Sequence, residues 1–588
     1  MASGIESVTD GLSEGAGGIT MRIRWAILGM LILQCIPAGA QQSLSERERA
    51  RVETIQRISP SVVCVMSSSG DGGGSGVLIS ADGLCISNYH VTSGSGNFMK
   101  CGLNDGRVYD AVIMGIDPTG DVALIQLLGR TDFSFARAGN SDFVKTGDEV
   151  MALGNPFLLA SDFSPTVTYG IVSGVHRYQY PANTFLEYTD CIQIDASINP
   201  GNSGGPLFDI SGTWIGINGR ASFEKRGRVN SGAAYAISVN QVLRFVDHLR
   251  AGLIVDHGRT EFTVETSDAD EVRISQVSEL SEAWRRGLRP GAVLLSFAGR
   301  QLTSANEFQN ILGTFPEGTR LPFSWRDDGG VHSATVRLGP LHSFQKAPEL
   351  PAERRPPRPD QEQPDSGETP AVAEDELPEE IRKLFVEKDG FCNFYFNEQQ
   401  RLKRIKPLRV RTESVGSPEA TWKVRFEMEG TTPAVTGELA IGPKTIGMKL
   451  GDTAWLQQVG DPKAEEEPPG MAGLLIAMNQ LRRLFSADTA AFGEITAFGS
   501  TVHLPLAREL QILLSREGIR TGRWYFEEEE VLPVALDLEY ETGIDEVRLV
   551  FENWKDWSGV VFPERIGIVN STTEEISWLR VSDAVRQD

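Results

Sequence analysis

From residue 61 onward, short apolar runs alternate with clusters of Gly, Asp, Asn and Ser. The runs are SVVCVMSS (61–68), GSGVLIS (74–80), GLCISN (83–88), RVYDAVIMGID (107–117), VALIQL (122–127), DEVMALG (148–154), TVTYGIVSGV (166–175), CIQID (191–195), TWIGING (213–219) and AAYAISV (233–239). Runs this short, rich in β-branched residues and bounded by turn residues, predict strands. So many in succession predict an all-β barrel or sandwich. A charged helix is expected before them, over 43–58, and VNQVLRFVDHLRAG (239–252) predicts the helix that closes the unit.

The pattern then changes. Residues 258–340 read as strands RTEFTVET, EVRISQV, AVLLSFAG and HSATVRL, with helices at SEAWRRG and SANEFQNILG. Residues 345–380 are rich in Pro and charge and poor in aromatic residues, which predicts an extended, disordered linker. From 381 to 588, alternating stretches such as WKVRFEME, TIGMKLG, EVRLVFENW and VVFPERIGIV predict an antiparallel sheet. Two segments, GLLIAMNQLRRLFS (473–486) and LARELQILLSRE (506–517), read as helices packed on it. The acidic run Glu527–Glu530 reads as a solvated strand edge or loop, since metal-ligand pairings are absent around it.

Composition narrows the class. The chain has 588 residues, 40% hydrophobic and 23% charged, which fits three or four globular domains. Its formal net charge of −23 argues against nucleic acid and anionic membrane surfaces as partners. Near the N-terminus, Arg22 and Arg24 precede an apolar stretch from Trp25 to Ile36, and Ala38-Gly39-Ala40 precedes Gln41. This is the layout of a signal peptide, with Met21 a candidate start. Cys35 is a weaker lipoprotein signal, because Gln34 is bulky where a small residue is expected. No other stretch is apolar and long enough to cross a bilayer. Cleavage would leave Cys64, Cys85, Cys101, Cys191 and Cys392, whose spacing matches no zinc pattern. Cys64, Cys85 and Cys191 sit in apolar runs and read as small buried hydrophobes, and a single disulfide stays open.

The chemistry centres on SINPGNSGGPLFD (197–209), where glycines, an asparagine and a proline surround Ser203. A serine hydroxyl is a poor nucleophile until a base takes its proton, so the motif calls for a histidine and a carboxylate to orient it. His90 ends a strand-like run in GLCISNYHVT, and Asp121 opens VALIQL. Singly, each has a plainer reading as a strand-end histidine, a turn-capping aspartate or a turn serine. In the order His, Asp, Ser they match the chymotrypsin-type triad.

GSGVLISADGLCISNYHV, GDVALIQL and INPGNSGGPLFD resemble the HtrA/Deg family of exported serine proteases, as do LNDGRVYDAVIMGIDPTGD, GDEVMALGNPF and TVTYGIVSGVHR in order. The resemblance runs from about residue 45 to 340. It implies a chymotrypsin-like double β-barrel, with His90 as general base and acid, Asp121 holding its tautomer, and Ser203 as nucleophile. It implies an oxyanion hole from the N–H groups of Gly201 and Ser203, helped by Asn202. Ser197, six residues before the nucleophile, would floor the primary pocket. Lacking a negative charge, it predicts small or medium apolar residues there, with Ala233 and Tyr235 on the other wall. EAWRRGLRPGAVLLSFAGRQL resembles the PDZ domain of that family, which binds C-terminal peptides by strand addition. Here, however, Arg259, Thr260 and Glu261 occupy the loop expected to grip the carboxylate. EVRLVFENWKDWSGVVFPERIGI is similar to strand pairs of lipoprotein-carrier half barrels.

The expected organisation is a multidomain, mainly β protein. An extension and signal peptide cover 1–40, a trypsin-like protease domain 41–255, a PDZ-like domain 256–344, a linker 345–380, and an accessory α+β domain 381–588, whose strand pair reads either as a plain strand-turn-strand with a half-buried face or as part of a half-barrel. The resemblance implies a periplasmic or secreted endopeptidase that acts on unfolded or damaged exported proteins, assembled as a homotrimer, with no cofactor or metal. The rival reading is a non-catalytic PDZ-containing scaffold with an idle barrel.

Overall fold

The computed structural model describes residues 44–67, 73–155, 162–179, 185–223, 230–348, 377–412, 419–459, 468, 471, 473–485 and 492–587, leaving aside the side chains of 44, 220–223 and 230–232. The expected signal peptide, Cys35 and residues 349–376 of the expected linker lie outside these. Two units are distinguished, Met1–Ile55 and Gln56–Asp588. The expected N-terminal helix is α1 (Leu44–Ile58).

The strand-like runs build two closed six-stranded barrels. The first contains β1 (Val62–Ser67), β2 (Gly73–Leu78), β3 (Leu84–Ser87), β4 (Phe98–Gly102), β5 (Val108–Asp117) and β6 (Val122–Leu127), in the order β1-β2-β3-β6-β5-β4. Between β3 and β4 lies one helical turn, α2 (Tyr89–Thr92). The second barrel contains β7 (Glu149–Gly154), β8 (Thr166–Gln179), β9 (Tyr188–Ile194), β10 (Pro206–Asp209), β11 (Trp214–Phe223) and β12 (Asn230–Ser238), in the order β10-β11-β12-β9-β8-β7. Val63, Val65, Leu78, Ile113 and Ile125 fill the first; Val150, Val172, Ile192, Ile194 and Leu207 fill the second. Burial of each such side chain stabilises the fold by about 1.5–3 kcal/mol. This is the chymotrypsin-like double barrel. Cys64, Cys85, Cys101 and Cys191 are buried and all five described cysteines are free, so no disulfide forms among them. Burial pushes the Cys64 thiol up to about 12, which suits a packing role.

Helix α3 (Val239–Arg250) packs on the first barrel with Val242, Phe245, Val246 and Leu249, one face at helical spacing. Gly115 of β5 permits this approach, since a Cβ there would lie 2.3 Å from the Leu249 carbonyl oxygen. The chain then runs beside β5: Ile116 N–H donates to Leu253 O (3.1 Å) and Val255 N–H to Ile116 O (2.8 Å).

The next region pairs β13 (Gly258–Arg259) with β20 (Gly339–Pro340). It also forms a sheet of β14 (Phe262–Thr266), β15 (Val272–Val277), β16 (Val293–Phe297), β18 (Arg320–Asp327) and β19 (Gly330–Arg337), with β17 (Arg300–Gln301) beside β16. Its helices are α4 (Glu282–Arg285) and α5 (Ala305–Leu312). The N-cap hydroxyls of Ser281 and Ser304 accept the N–H groups of Trp284 and Glu307, each at 3.1 Å.

The C-terminal part is one antiparallel sheet of eleven strands: β21 (Thr421–Met428), β22 (Val435–Ile441), β23 (Thr445–Leu450), β24 (Thr453–Gln458), β25 (Glu494–His503), β26 (Arg508–Glu517), β27 (Arg520–Phe526), β28 (Ala535–Glu539), β29 (Val547–Asp556), β30 (Val561–Val569) and β31 (Ile576–Gln587). Helix α6 (Phe394–Thr412) precedes it, and α7 (Leu474–Phe485) is buried at every position except Arg483. The expected helix at 506–517 is instead strand β26. Its leucines at 510, 513 and 514 satisfy helical spacing, but Leu510, Ile512 and Leu514 also satisfy period two. Ladders with β25 and β27 on both sides decide for the strand. Helix α6 was not legible, because Pro407 interrupts a polar, weakly patterned segment. The acidic run lies in the loop between β27 and β28, with Glu528, Glu529 and Glu530 exposed.

Ionic and polar contacts join these parts. Arg337 meets Glu546 at 2.8 Å and also pairs with Asp537; Arg320 bridges Glu546 (2.9 Å) and Glu282 (2.6 Å). Burial alone would raise the Glu546 pKa, but the guanidinium groups of Arg337, Arg320 and Arg523 hold it well below the usual carboxylate range. On the side of the first barrel, the Asn393 side chain donates to Ile113 O (2.8 Å) and that of Asn397 to Ala251 O (2.7 Å).

Candidate active site

The turn between β5 and β6 carries Asp121, and α2 carries His90. His90 Nδ1 lies 2.7 Å from Asp121 Oδ2, and His90 N–H donates to Oδ1 at 2.9 Å. The Tyr188 hydroxyl also donates to Oδ2. Asp121 O accepts the Asn88 side-chain amide (2.8 Å) and Tyr89 N–H (3.3 Å). The Asp121 side chain is fully buried, while that of His90 is 35% exposed. The carboxylate is thus sealed and hydrogen-bonded behind an imidazole that faces solvent, the arrangement that fixes one tautomer. Asp121 has φ of +59°, in the left-handed region, at a cost of about 1–3 kcal/mol that the surrounding bonds must offset.

Ser203 sits on the turn from Asn199 to Gly205. Gly201 has φ of +104° and Gly204 of +83°. At Gly204 a Cβ would also lie 2.2 Å from the Ser75 carbonyl oxygen and 2.5 Å from Ser87 Oγ, so no other residue fits. Ser75 of β2 braces this turn from the first barrel. Its hydroxyl donates to Gly201 O (2.6 Å) and accepts Asn155 N–H (2.8 Å), and its own N–H donates to Ser203 O (2.9 Å). The nucleophile turn is therefore held across the two barrels.

Among the described residues, the N–H groups of Gly201 and Ser203 donate to no protein acceptor, which leaves them for an oxyanion. The Asn202 N–H donates to Asn199 O at 2.9 Å, and the buried Asn202 side-chain amide has no partner. Of the three residues expected at the oxyanion hole, Asn202 has its N–H engaged within the turn, while those of Gly201 and Ser203 are not. Ser203 Oγ donates to the Gly219 carbonyl at 3.2 Å.

The expected pocket residues lie in two places, the loop between β9 and β10 and strand β12. Ser197 is exposed, and its carbonyl accepts the Thr168 hydroxyl at 2.9 Å. Ala233 and Tyr235 are half-buried, two positions apart on β12, where Tyr235 pairs with Gln193. Sequence reasoning missed Tyr188, Asn88 and Ser75. Asn88 and Ser75 lie inside the motifs that carry His90 and the GSG strand, whereas Tyr188 has no local signal.

Two closed barrels with a buried Asp, a facing His and a serine on a glycine turn define the trypsin-like class. Residues 74–217 match the family model described as a trypsin-like peptidase domain. The periplasmic serine endoprotease DegP of Escherichia coli (strain K12) is 35% identical over 277 residues, 45% of this chain and 56% of the relative. A probable periplasmic serine endoprotease, DegP-like, of Chlamydia muridarum is 33% identical over 259 residues, 42% of this chain and 50% of the relative. The chain spans about half the length of the curated relatives it matches. Among solved structures, an HtrA-type protease AlgW with tripeptide is similar at 30% identity, covering 49% of this chain and 96% of that one, with a TM-score of 0.41. Over the shared part, the chain carries a trypsin-like peptidase domain similar to those of the DegP-like serine endoproteases.

Proposed function

We propose that the chain is an exported serine endopeptidase that cleaves unfolded or damaged proteins in quality control. The observation that carries this reading is the sealed His90–Asp121 pair beside a nucleophile turn with two unengaged N–H donors. In the reaction, His90 Nε2 takes the Ser203 proton as Oγ bonds to the peptide carbonyl carbon. The oxyanion that forms accepts hydrogen bonds from Gly201 and Ser203 N–H. Asp121 stabilises the imidazolium, which returns the proton to the leaving amine as the C–N bond breaks. Water, activated by the same imidazole, then hydrolyses the acyl-enzyme and frees Ser203. Removing one oxyanion donor typically costs about 10²–10³ in rate.

The relatives' names support a periplasmic or secreted location, as does the charge and hydropathy pattern of residues 21–40. Residues 256–344 read as a PDZ-like domain for C-terminal peptides, supported by a cavity of about 540 Å³ beside β14 and α5 that Arg259, Glu261, Phe262 and Gln309 line. The primary pocket is read as taking small or medium apolar residues, supported by the uncharged Ser197, and a homotrimer rests on the family resemblance alone. Hydrolysis of an unfolded protein by the chain from Gln41, lost in Ser203→Ala, is the expected result. Cleavage after Lys or Arg in a peptide library would contradict the pocket assignment. Equal hydrolysis by both forms would refute the triad.

A further inference from the structure

We infer that His257, which lies outside the triad, is a positioning residue for the catalytic aspartate: its imidazole, bonded to Asp117, fixes the turn that presents Asp121 to His90. This inference rests on the proteolytic reading of the site.

The turn from Asp117 to Asp121 joins β5 to β6. It must hold Asp121, a residue with a side chain, at φ of +59°. Left-handed conformations of such residues persist only where neighbouring bonds over-determine them. Asp117 supplies one bond from inside the turn, since its Oδ1 accepts Gly120 N–H at 2.8 Å. That carboxylate is itself fixed by His257 Nε2, which lies 2.9 Å from both of its oxygens. Both side chains are only 1% exposed. Gly120 records how tightly the pair fills the turn: a Cβ there would lie 2.3 Å from Asp117 Oδ2 and 3.0 Å from His257 Nε2.

His257 is held firmly enough to act as a brace. The preceding residues run beside β5, where Ile116 forms a parallel bridge with Ile254. Phe245 of α3 packs against the imidazole with ring centres 4.7 Å apart and planes tilted by 36°. His257 O accepts Leu341 N–H at 3.0 Å, and Asp256 O accepts Glu317 N–H at 3.0 Å. The charged groups around the ring are Asp117 from β5, Glu187 ahead of β9 and the adjacent Asp256. Burial alone would lower the His257 pKa, but the charge and hydrogen bond of Asp117 raise it above the ordinary value. His257 Nδ1 has no partner, so Nε2–H is the donor that matters. A second support reaches the same turn: Thr119 O accepts Glu187 N–H at 2.8 Å, next to Tyr188, whose hydroxyl meets Asp121.

The test reads the His90–Asp121 bond directly. One-dimensional proton NMR of the Ser203→Ala chain from Gln41 is recorded for the downfield imidazole proton of His90, assigned by its loss in His90→Gln. His257→Ala is expected to shift or broaden it, and His257→Gln, which keeps a donor near the Nε2 position, to restore it. In the chain with Ser203 intact, fluorophosphonate labelling is expected to fall about 10- to 100-fold in His257→Ala, the effect of misplacing a catalytic group by up to about 1 Å. His257→Gln should recover most of that loss. If His257→Ala does not fold, Asp117→Asn takes its place. An unchanged signal with labelling within about twofold of wild type would overturn the inference, as would equal loss in Ala and Gln. Failure of the unsubstituted chain to label would instead count against the proteolytic reading, and the NMR signal would still decide the role of His257.

Discussion

Ser75→Ala is a demanding test of how the nucleophile turn is held. The Ser75 hydroxyl is buried and serves two backbone groups, donating to Gly201 O at 2.6 Å and accepting from Asn155 N–H at 2.8 Å. Its removal orphans both. Each unsatisfied buried group costs about 1–3 kcal/mol, so local destabilisation of about 2–6 kcal/mol is expected. Water does not compensate, since the void of one oxygen atom is smaller than a water site needs. The strand pairing and the Ser75 N–H to Ser203 O bond remain, so the barrels should stay folded. The damage falls on the turn, where Gly201 loses the contact that sets its carbonyl and its φ of +104°. A shift of about 1 Å in such a group lowers catalysis by about 10²-fold. The assay is the second-order rate of fluorophosphonate labelling, beside a thermal melt. A rate within about threefold of wild type, with a normal melt, would refute the claim that Ser75 sets the turn.

Other predictions follow from neighbouring geometry. Tyr188→Phe removes a donor from the buried Asp121 carboxylate, a charge-assisted bond of about 1.5–3 kcal/mol, so labelling should fall about 10- to 100-fold without loss of fold. Glu546→Gln leaves Arg320 and Arg337 under-compensated and should cost about 3–5 kcal/mol in denaturant unfolding, with faster proteolysis of residues 256–344. His176 lies 2.7 Å from Asp190, which also takes Arg300 at 3.4 Å, while Asp190 N–H meets the Asn310 side chain at 2.6 Å. The Asp190 hydrogen bond raises the His176 pKa above 6.5. Burial works against ionised Asp190, but the His176 hydrogen bond and charge bring its pKa below 3.8. The histidine's contribution is therefore full below 6.5 and lost as pH rises through its folded pKa; the aspartate's is present above 3.8 and lost as pH falls. Thermal stability should show a component between about pH 4 and 6.5 that disappears in His176→Gln.

The parts most legible in the sequence are those where chemistry restricts residue choice. Gly201 and Gly204 stand at positive φ around Ser203, and the order of His90, Asp121 and Ser203 matches that of a chymotrypsin-type triad before any contact is known. The apolar runs between turn residues predicted an all-β barrel or sandwich because each strand must bury a face, and the family resemblance implied the double barrel. What was not legible depends on distant partners. Tyr188 reaches Asp121 across 67 positions, and Ser75 reaches Gly201 across 126. Asn202 was expected in the oxyanion hole, yet its N–H is used within its own turn. Segment 506–517 carries two periodicities at once, and only its neighbours β25 and β27 choose between them. Helix α6, polar and interrupted by Pro407, is held instead by single contacts such as Asn397 on Ala251.

The central claim is that Ser203 is a nucleophile activated by His90. The direct measurement is fluorophosphonate labelling of the chain from Gln41, with the adduct mapped by mass spectrometry, beside Ser203→Ala and His90→Ala. The account predicts one adduct per chain, on Ser203, absent in the first variant and slowed by orders of magnitude in the second. A folded chain that takes no label, alone or with unfolded protein and C-terminal peptides added, would contradict it and leave an idle barrel on a binding scaffold.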